Sequence, residues 1–137
     1  MIDWLLVLVA ALGGSSDPGC LVLDALDERR AHALAHDDPA ALAQVYPPES
    51  TLLAADRAVL DAYRERGLRL RGGAVERLSC RTAAERPGRY EVDVVDRVSE
   101  SAVEASDGRR ALPRDRPTRH LVTLVRTPGG WRVERVR

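Results

Sequence analysis

The pattern of apolar and polar positions along this chain changes period once, near Leu68. Before it, apolar side chains return every three or four residues, which is helical spacing. Val22, Leu23, Leu26, Ala33 and Leu34 form one stripe on a segment from Leu21 to His36 that contains no breaker. Glu28, Arg29, His32 and His36 occupy its other side. Asp17-Pro18 reads as the start of this helix, with Asp as N-cap and Pro in the first turn. Asp37-Asp38-Pro39 breaks and restarts the chain, and a short helix over "AALAQVY" is expected to end before Pro47-Pro48. Ser50 or Thr51 caps a third helix through Leu52, Leu53, Val59, Leu60 and Tyr63, and Gly67 stops it.

From Leu68 onward the pattern alternates. "LRLRGGAVERLSCRT" is strand-like, with a bulge or bend at Gly72-Gly73. "RPGRYEVDVVDRV" is a turn followed by a strand. Tyr90, Val92, Val94, Asp96 and Val98 share one face of that strand, and Glu91, Asp93, Val95 and Arg97 share the other. "SAVEAS" is a short strand, "DGRR" a turn and "ALPRDRPT" a loop. The runs "HLVTLVR" and "WRVERVR" form a closing hairpin around Thr-Pro-Gly-Gly. Helices first and an antiparallel sheet afterwards predict an α+β fold, with three helices packed on a sheet of four to five strands.

At 137 residues the chain is long enough for one domain with a real core. Residues 1–19 read as an apolar segment plus linker, and 21–137 as the domain. The apolar run from Trp4 to Leu12 is too short to span a bilayer, which needs ~20 residues, but suits the core of a signal peptide. Asp3 and the lack of Arg before the run fit either a poor signal peptide or a start that truncates a longer export signal or membrane anchor. Asp17, Pro18 and Gly19 ahead of Cys20 do not make a lipidation motif. Cys20 and Cys80 suggest a disulfide in an exported chain; the competing reading is two unrelated thiols. The expected location is exported or membrane-associated, with the cytoplasm as the alternative.

All 21 Lys-plus-Arg side chains are Arg, and Phe and Asn are absent. This pattern fits the codon bias of a GC-rich genome, so Arg clusters carry little functional weight by themselves. The formal net charge is zero, which argues against a nucleic-acid surface.

The segments "LDALDERRAHALAHDDPAALAQVYPPES", "YRERGLRLRG", "YEVDVVDRV" and "VTLVRTPGGWRVERV" together resemble the nuclear transport factor 2-like (SnoaL-like) cone fold over about residues 21–137. More narrowly, the chain is similar to small, uncharacterised cone-fold domains of actinobacteria that follow a signal sequence or membrane anchor. The resemblance implies a curved sheet closed by the last hairpin, a concavity between helices and sheet, and frequent homodimerisation through the outer sheet face. It does not imply one function, because the fold hosts isomerases, dehydratases, cyclases, binding modules and assembly domains.

In such a concavity an Asp–His or carboxylate–Tyr pair can do acid–base work. Asp96, in phase with Val92 and Val94, is the candidate carboxylate, with His120 or Tyr63 as partner. A structural ion pair is the competing role for Asp96. The pocket-lining candidates are Tyr46, Tyr63, Val94, Asp96, Leu124 and Trp131, with core bulk the competing role for Trp131. His32 and His36 have a spacing that can hold a metal, but no third ligand is evident, and a solvated helix surface is the expectation. No metal or other cofactor is expected. The function expected is a non-enzymatic accessory or interaction domain of the cell envelope. The alternatives are a small-molecule isomerase, dehydratase or cyclase, and a ligand-binding cone without chemistry. Its partner would be a protein or a small apolar ligand, with association to a membrane through the N-terminus. An intact-mass measurement on the native protein, with and without reduction and alkylation, should find a processed or anchored chain with both cysteines oxidised; a full-length chain with two free thiols would remove the case for export.

Overall fold

The computed structural model describes residues 17–137, so the expectations placed on residues 1–16 lie outside the described part. Among the described residues three helices come first: α1 (Pro18–Ala35), α2 (Pro39–Leu42) and α3 (Thr51–Glu65). Their starts follow from side-chain caps. Asp17 accepts from the Cys20 N–H, Asp38 from that of Ala41, and Ser50 from those of Leu52 and Leu53. Pro18 and Pro39 occupy first-turn positions where no N–H is needed. The second helix is shorter than expected: it ends at Leu42, and the chain reaches Tyr46 through turns.

Seven strands follow: β1 (Arg69–Gly72), β2 (Val75–Arg86), β3 (Arg89–Val98), β4 (Ser101–Ala105), β5 (Gly108–Ala111), β6 (Thr118–Thr127) and β7 (Gly130–Val136). They form two antiparallel sheets, one in the order β2-β3-β6-β7 and one in the order β1-β4-β5. The expected four to five strands understate this. Gly72 and Gly73 both have positive φ, which breaks the strand there and frees β1 to pair with the β4–β5 hairpin.

The large sheet turns its inner face to the helices. Val92 and Val94 of β3, Val122 and Leu124 of β6 and Val133 of β7 are buried against Leu23, Leu26, Leu42, Leu53 and Leu60. At one end of this face Tyr90 and Trp131 stack with ring centroids 4.7 Å apart. On the outer face Arg119 pairs with Asp93, and Arg97 with Glu76.

α1 lies along β2 and is tied to it at successive points. Thr82 donates to Asp17 through both its hydroxyl and its backbone N–H, the latter at 2.9 Å. These bonds hold the Asp17 carboxyl below its usual pKa. Gly19 sits against the same threonine, donating its N–H to Thr82 Oγ1 at 3.1 Å. A Cβ at residue 19 would collide with that oxygen and come within 2.9 Å of Val92 Cγ2, so only glycine allows this approach. Cys20 and Cys80 then form a disulfide, with Cα atoms 6.0 Å apart. The same bond occupies the Cys20 sulfur, which leaves it no thioether to a lipid.

The disulfide closes a sequence separation of 60 residues. Replacing both cysteines by Ser should lower unfolding stability by about 4 kcal/mol in the chain-entropy account. Denaturant melts of the variant and of the oxidised parent would check this.

Candidate functional site

A cavity of about 340 Å³ opens between the helices and the large sheet, at the end of the inner face opposite the Tyr90–Trp131 stack. One wall is apolar, with Leu23, Val45, Leu52, Val75, Val122 and Val133. The other is a strip of charge built from two networks.

The first network runs from helix to sheet. β2 has a bulge at Leu78, where its pairing with β3 shifts between Arg77 and Ser79. The extra residue lets Arg77 and Cys80 both face α1 although they are three positions apart. Arg77 donates to Asp27 of α1 at 2.5 Å, to Asp24 at 3.1 Å and to Asp96 Oδ2 of β3 at 2.7 Å. Burial pushes the Asp27 carboxyl up in pKa, against the pull of Arg77. Burial also works against the charge of Arg77, but its bonds to Asp27 and Asp24 outweigh this and raise its pKa. The other oxygen of Asp96, Oδ1, lies 3.1 Å from His120 Nε2. Thr118 Oγ1 is 2.8 Å from the same nitrogen. The Asp96 carboxylate, which can only accept, favours the tautomer with the proton on Nε2, which leaves the Nδ1 lone pair without a hydrogen-bond partner among the described residues.

The second network joins helices. Arg30 of α1 grips Asp56 of α3 with two bonds, at 2.7 and 2.9 Å. The Tyr46 hydroxyl donates to the same carboxylate at 2.7 Å. The bond to Asp56 raises the pKa of Arg30, and burial pushes up that of the Tyr46 hydroxyl. Asp56 is only 7 % exposed, so these donors supply the hydrogen bonds that water would otherwise give it.

Of the residues singled out from the sequence, Tyr46, Asp96 and His120 line the cavity, and Asp96 and His120 are in contact. Tyr63 is not with them; it lines a small cleft with Leu34, Leu60 and Leu68 near the far end of α3. Val94 and Leu124 are wholly buried in the core rather than in the cavity wall. Trp131 packs against that core through its stack on Tyr90. Asp96 also has the structural ion pair named as its competing role. His32 and His36 stack on the exposed side of α1, with centroids 4.0 Å apart. Among the described residues no group of three or more His, Cys, Asp or Glu is arranged to hold a metal.

Asp27, Arg30, Asp56 and Arg77 were not singled out, although the sequence held a signal for two of them. The buried face of α1 runs Leu23, Leu26, Ala33, and Arg30 falls in phase with it. The buried face of α3 runs Leu53, Asp56, Leu60. A charged residue inside each apolar stripe, one of each sign, is the mark of a pair between the two helices.

No family profile matches the chain, and no curated protein matches it in sequence. Solved structures do match in fold. A protein of Novosphingobium aromaticivorans, provisionally described as an aromatic ring hydroxylase, superposes with a TM-score of 0.59 at 16% identity, over 85% of this chain and 84% of that one. Aln2 of a Streptomyces species gives 0.56 at 18% identity, over 88% and 89%. The intermembrane-space region of the chloroplast protein ARC6 gives 0.56 at 10% identity, over 90% and 96%. These likenesses agree with the cone-like α+β fold of the nuclear transport factor 2-like kind and carry no function with them.

Arg77 neutralises Asp27 and Asp96 together. Arg77→Met should cost about 3 kcal/mol at neutral pH, because the partly buried Asp27 carboxylate then loses its cation and faces that of Asp96. Burial already holds the Asp27 carboxyl above its usual pKa against the pull of Arg77; without the cation it should rise further, so the unfolded chain ionises this group first as pH rises. The deficit should therefore shrink as pH falls below about 5 and the Asp27 carboxyl gains its proton. Melts of parent and variant across pH would read this.

Proposed function

We propose that the domain holds a small, mostly apolar molecule in its cavity, and that His120, oriented by Asp96, exchanges a proton with it. The observation that carries this reading is the Asp96–His120 contact on the wall of a cavity large enough for a small ring compound. The Asp96 carboxylate beside Nε2 favours the proton on that nitrogen, which presents Nδ1 as the proton acceptor, and its charge stabilises the imidazolium that forms. The ligand would keep the electron pair, as an enolate if a carbonyl is adjacent. Return of the proton at another atom would complete an isomerisation; dehydration and cyclisation begin with the same step.

The disulfide supports placing this domain outside the cytoplasm. With the Arg-only composition, it fits an exported or membrane-associated actinobacterial protein. No helix among the described residues is long and apolar enough to cross a membrane, so any anchor would lie elsewhere.

A second reading, a non-enzymatic accessory or interaction domain of the cell envelope, is favoured by one observation. Asp27, Asp56 and Asp96 are each tied to Arg30 or Arg77, so the same networks serve as helix-to-helix and helix-to-sheet clasps. A homodimer through the outer sheet face would belong to this reading.

The readings separate in one experiment, in which cyclic ketones are incubated with the protein in D2O and followed by NMR. Proton transfer predicts binding together with faster exchange of the α-protons. Replacing His120 by Gln should then slow exchange by about 100-fold or more with binding retained, and Asp96→Asn should slow it less. Binding without exchange would leave a ligand-binding cone without chemistry. Absence of binding would favour the interaction module.

A further inference from the structure

The cavity leaves the small sheet without a role. Directly paired residues of an antiparallel sheet share a face. Glu104 is opposite Arg69 on one side and Arg109 on the other, and Ala102 is opposite Arg71 and Ala111. Arg69, Arg71 and Arg109 therefore surround Glu104 on one face. Arg71 donates to Glu104 at 3.1 Å, and the positive charge of all three arginines holds that carboxyl below its usual pKa. Beside them a shallow groove of about 580 Å³ runs between Arg109 and Arg114, over Ala102 and Ala111. Arg114 is paired with Glu100 at 3.0 Å. Arg69 also acts on Asp37 and Arg114 on Glu76 at the margins of the patch, which leaves Arg109, beside the groove and with no ion pair of its own among the described residues, as its exposed cation.

The patch adjoins a free strand edge. β5 is the outermost strand of its sheet, and all four of its residues are exposed. Leu112 N–H donates to Ser101 at 3.0 Å, which sets the alternation of the ladder. Arg110 then bonds β4, while the N–H and C=O groups of Arg109 and Ala111 point away from it. Among the described residues nothing pairs with that edge.

We propose that the β5 edge is a docking site for an acidic, extended segment of a partner protein, which adds beside β5 as a further strand. Backbone groups of Arg109 and Ala111 would supply the ladder, and acidic side chains on the groove side would meet Arg109 and Arg114. Arginines on an edge repel a second copy of the same edge. The charge that prevents self-pairing is also the charge that selects a partner of opposite sign. This surface is independent of the cavity and of any chemistry there.

The test uses the full chain with an alternating Glu-Val heptapeptide, blocked at both ends, and its Lys-Val counterpart. The acidic peptide should bind at least tenfold more tightly than the basic one and slow amide exchange at Arg109 and Ala111. Arg109→Glu, exposed in the free protein, should weaken it at least tenfold. Equal affinity for the two peptides, or no binding of the acidic one, would overturn the proposal. So would chemical-shift changes confined to other strands. Binding to phosphatidylglycerol vesicles without binding to the peptide would also overturn it, in favour of a lipid surface.

Discussion

The registration of α1 on β2 is the constraint on which the rest of this domain depends. It is made three times with three kinds of interaction: the Asp17–Thr82 hydrogen bonds, the Cys20–Cys80 disulfide and the Arg77 ion cluster. Each uses a different physical property. The first needs close contact, which Gly19 permits. The second needs an oxidising environment. The third needs carboxylates from two elements to share one guanidinium. Sliding α1 by a turn would break all three, and with them the position of Asp27 at the cavity.

The far side of the helical layer is held separately. The Val133 N–H donates to the carbonyl of Val45 at 2.7 Å, pinning β7 to the turn after α2. Between these two seams the helices stand off the sheet, and the cavity occupies that space. Its charges are paired between elements, helix to sheet and helix to helix, rather than within one. Pairing lowers the cost of having carboxylates and guanidinium groups in a partly dry site. It also orients them, so Asp96 can serve the fold through Arg77 and His120 through its other oxygen. A clasp and a proton-transfer pair are therefore compatible in one carboxylate.

Much of the architecture was legible in the chain because it follows from local rules. Asp-Pro and Ser-Thr starts, Gly67 at φ 64 after α3 and the alternation from Tyr90 to Val98 each specify a structure with few neighbours involved. The strand count was less legible. Whether "SAVEAS" and "GRRA" form part of the main sheet or a sheet of their own depends on which distant segment pairs with them. That was decided by the break at Gly72-Gly73, which sends β1 to β4. The cavity was legible in part. Asp96 stood out as a charge on an apolar face, but Arg77 became inward-facing only through the bulge at Leu78, and no period in the sequence announces a bulge.

By itself, then, the sequence determined the order of helices and strands, their caps and turns, the inner face of β3 and the candidacy of Asp96, His120, Cys20 and Cys80. These are properties of spacing, and spacing is set by the backbone geometry of each element. Only the tertiary structure decided that the cysteines join, that Tyr63 lies apart from Asp96 while Tyr46 shares its cavity, and that Arg30 meets Asp56 and Arg77 meets three aspartates. Those are contacts between elements far apart in the chain. They depend on how helices and sheet settle against one another, which local pattern does not encode.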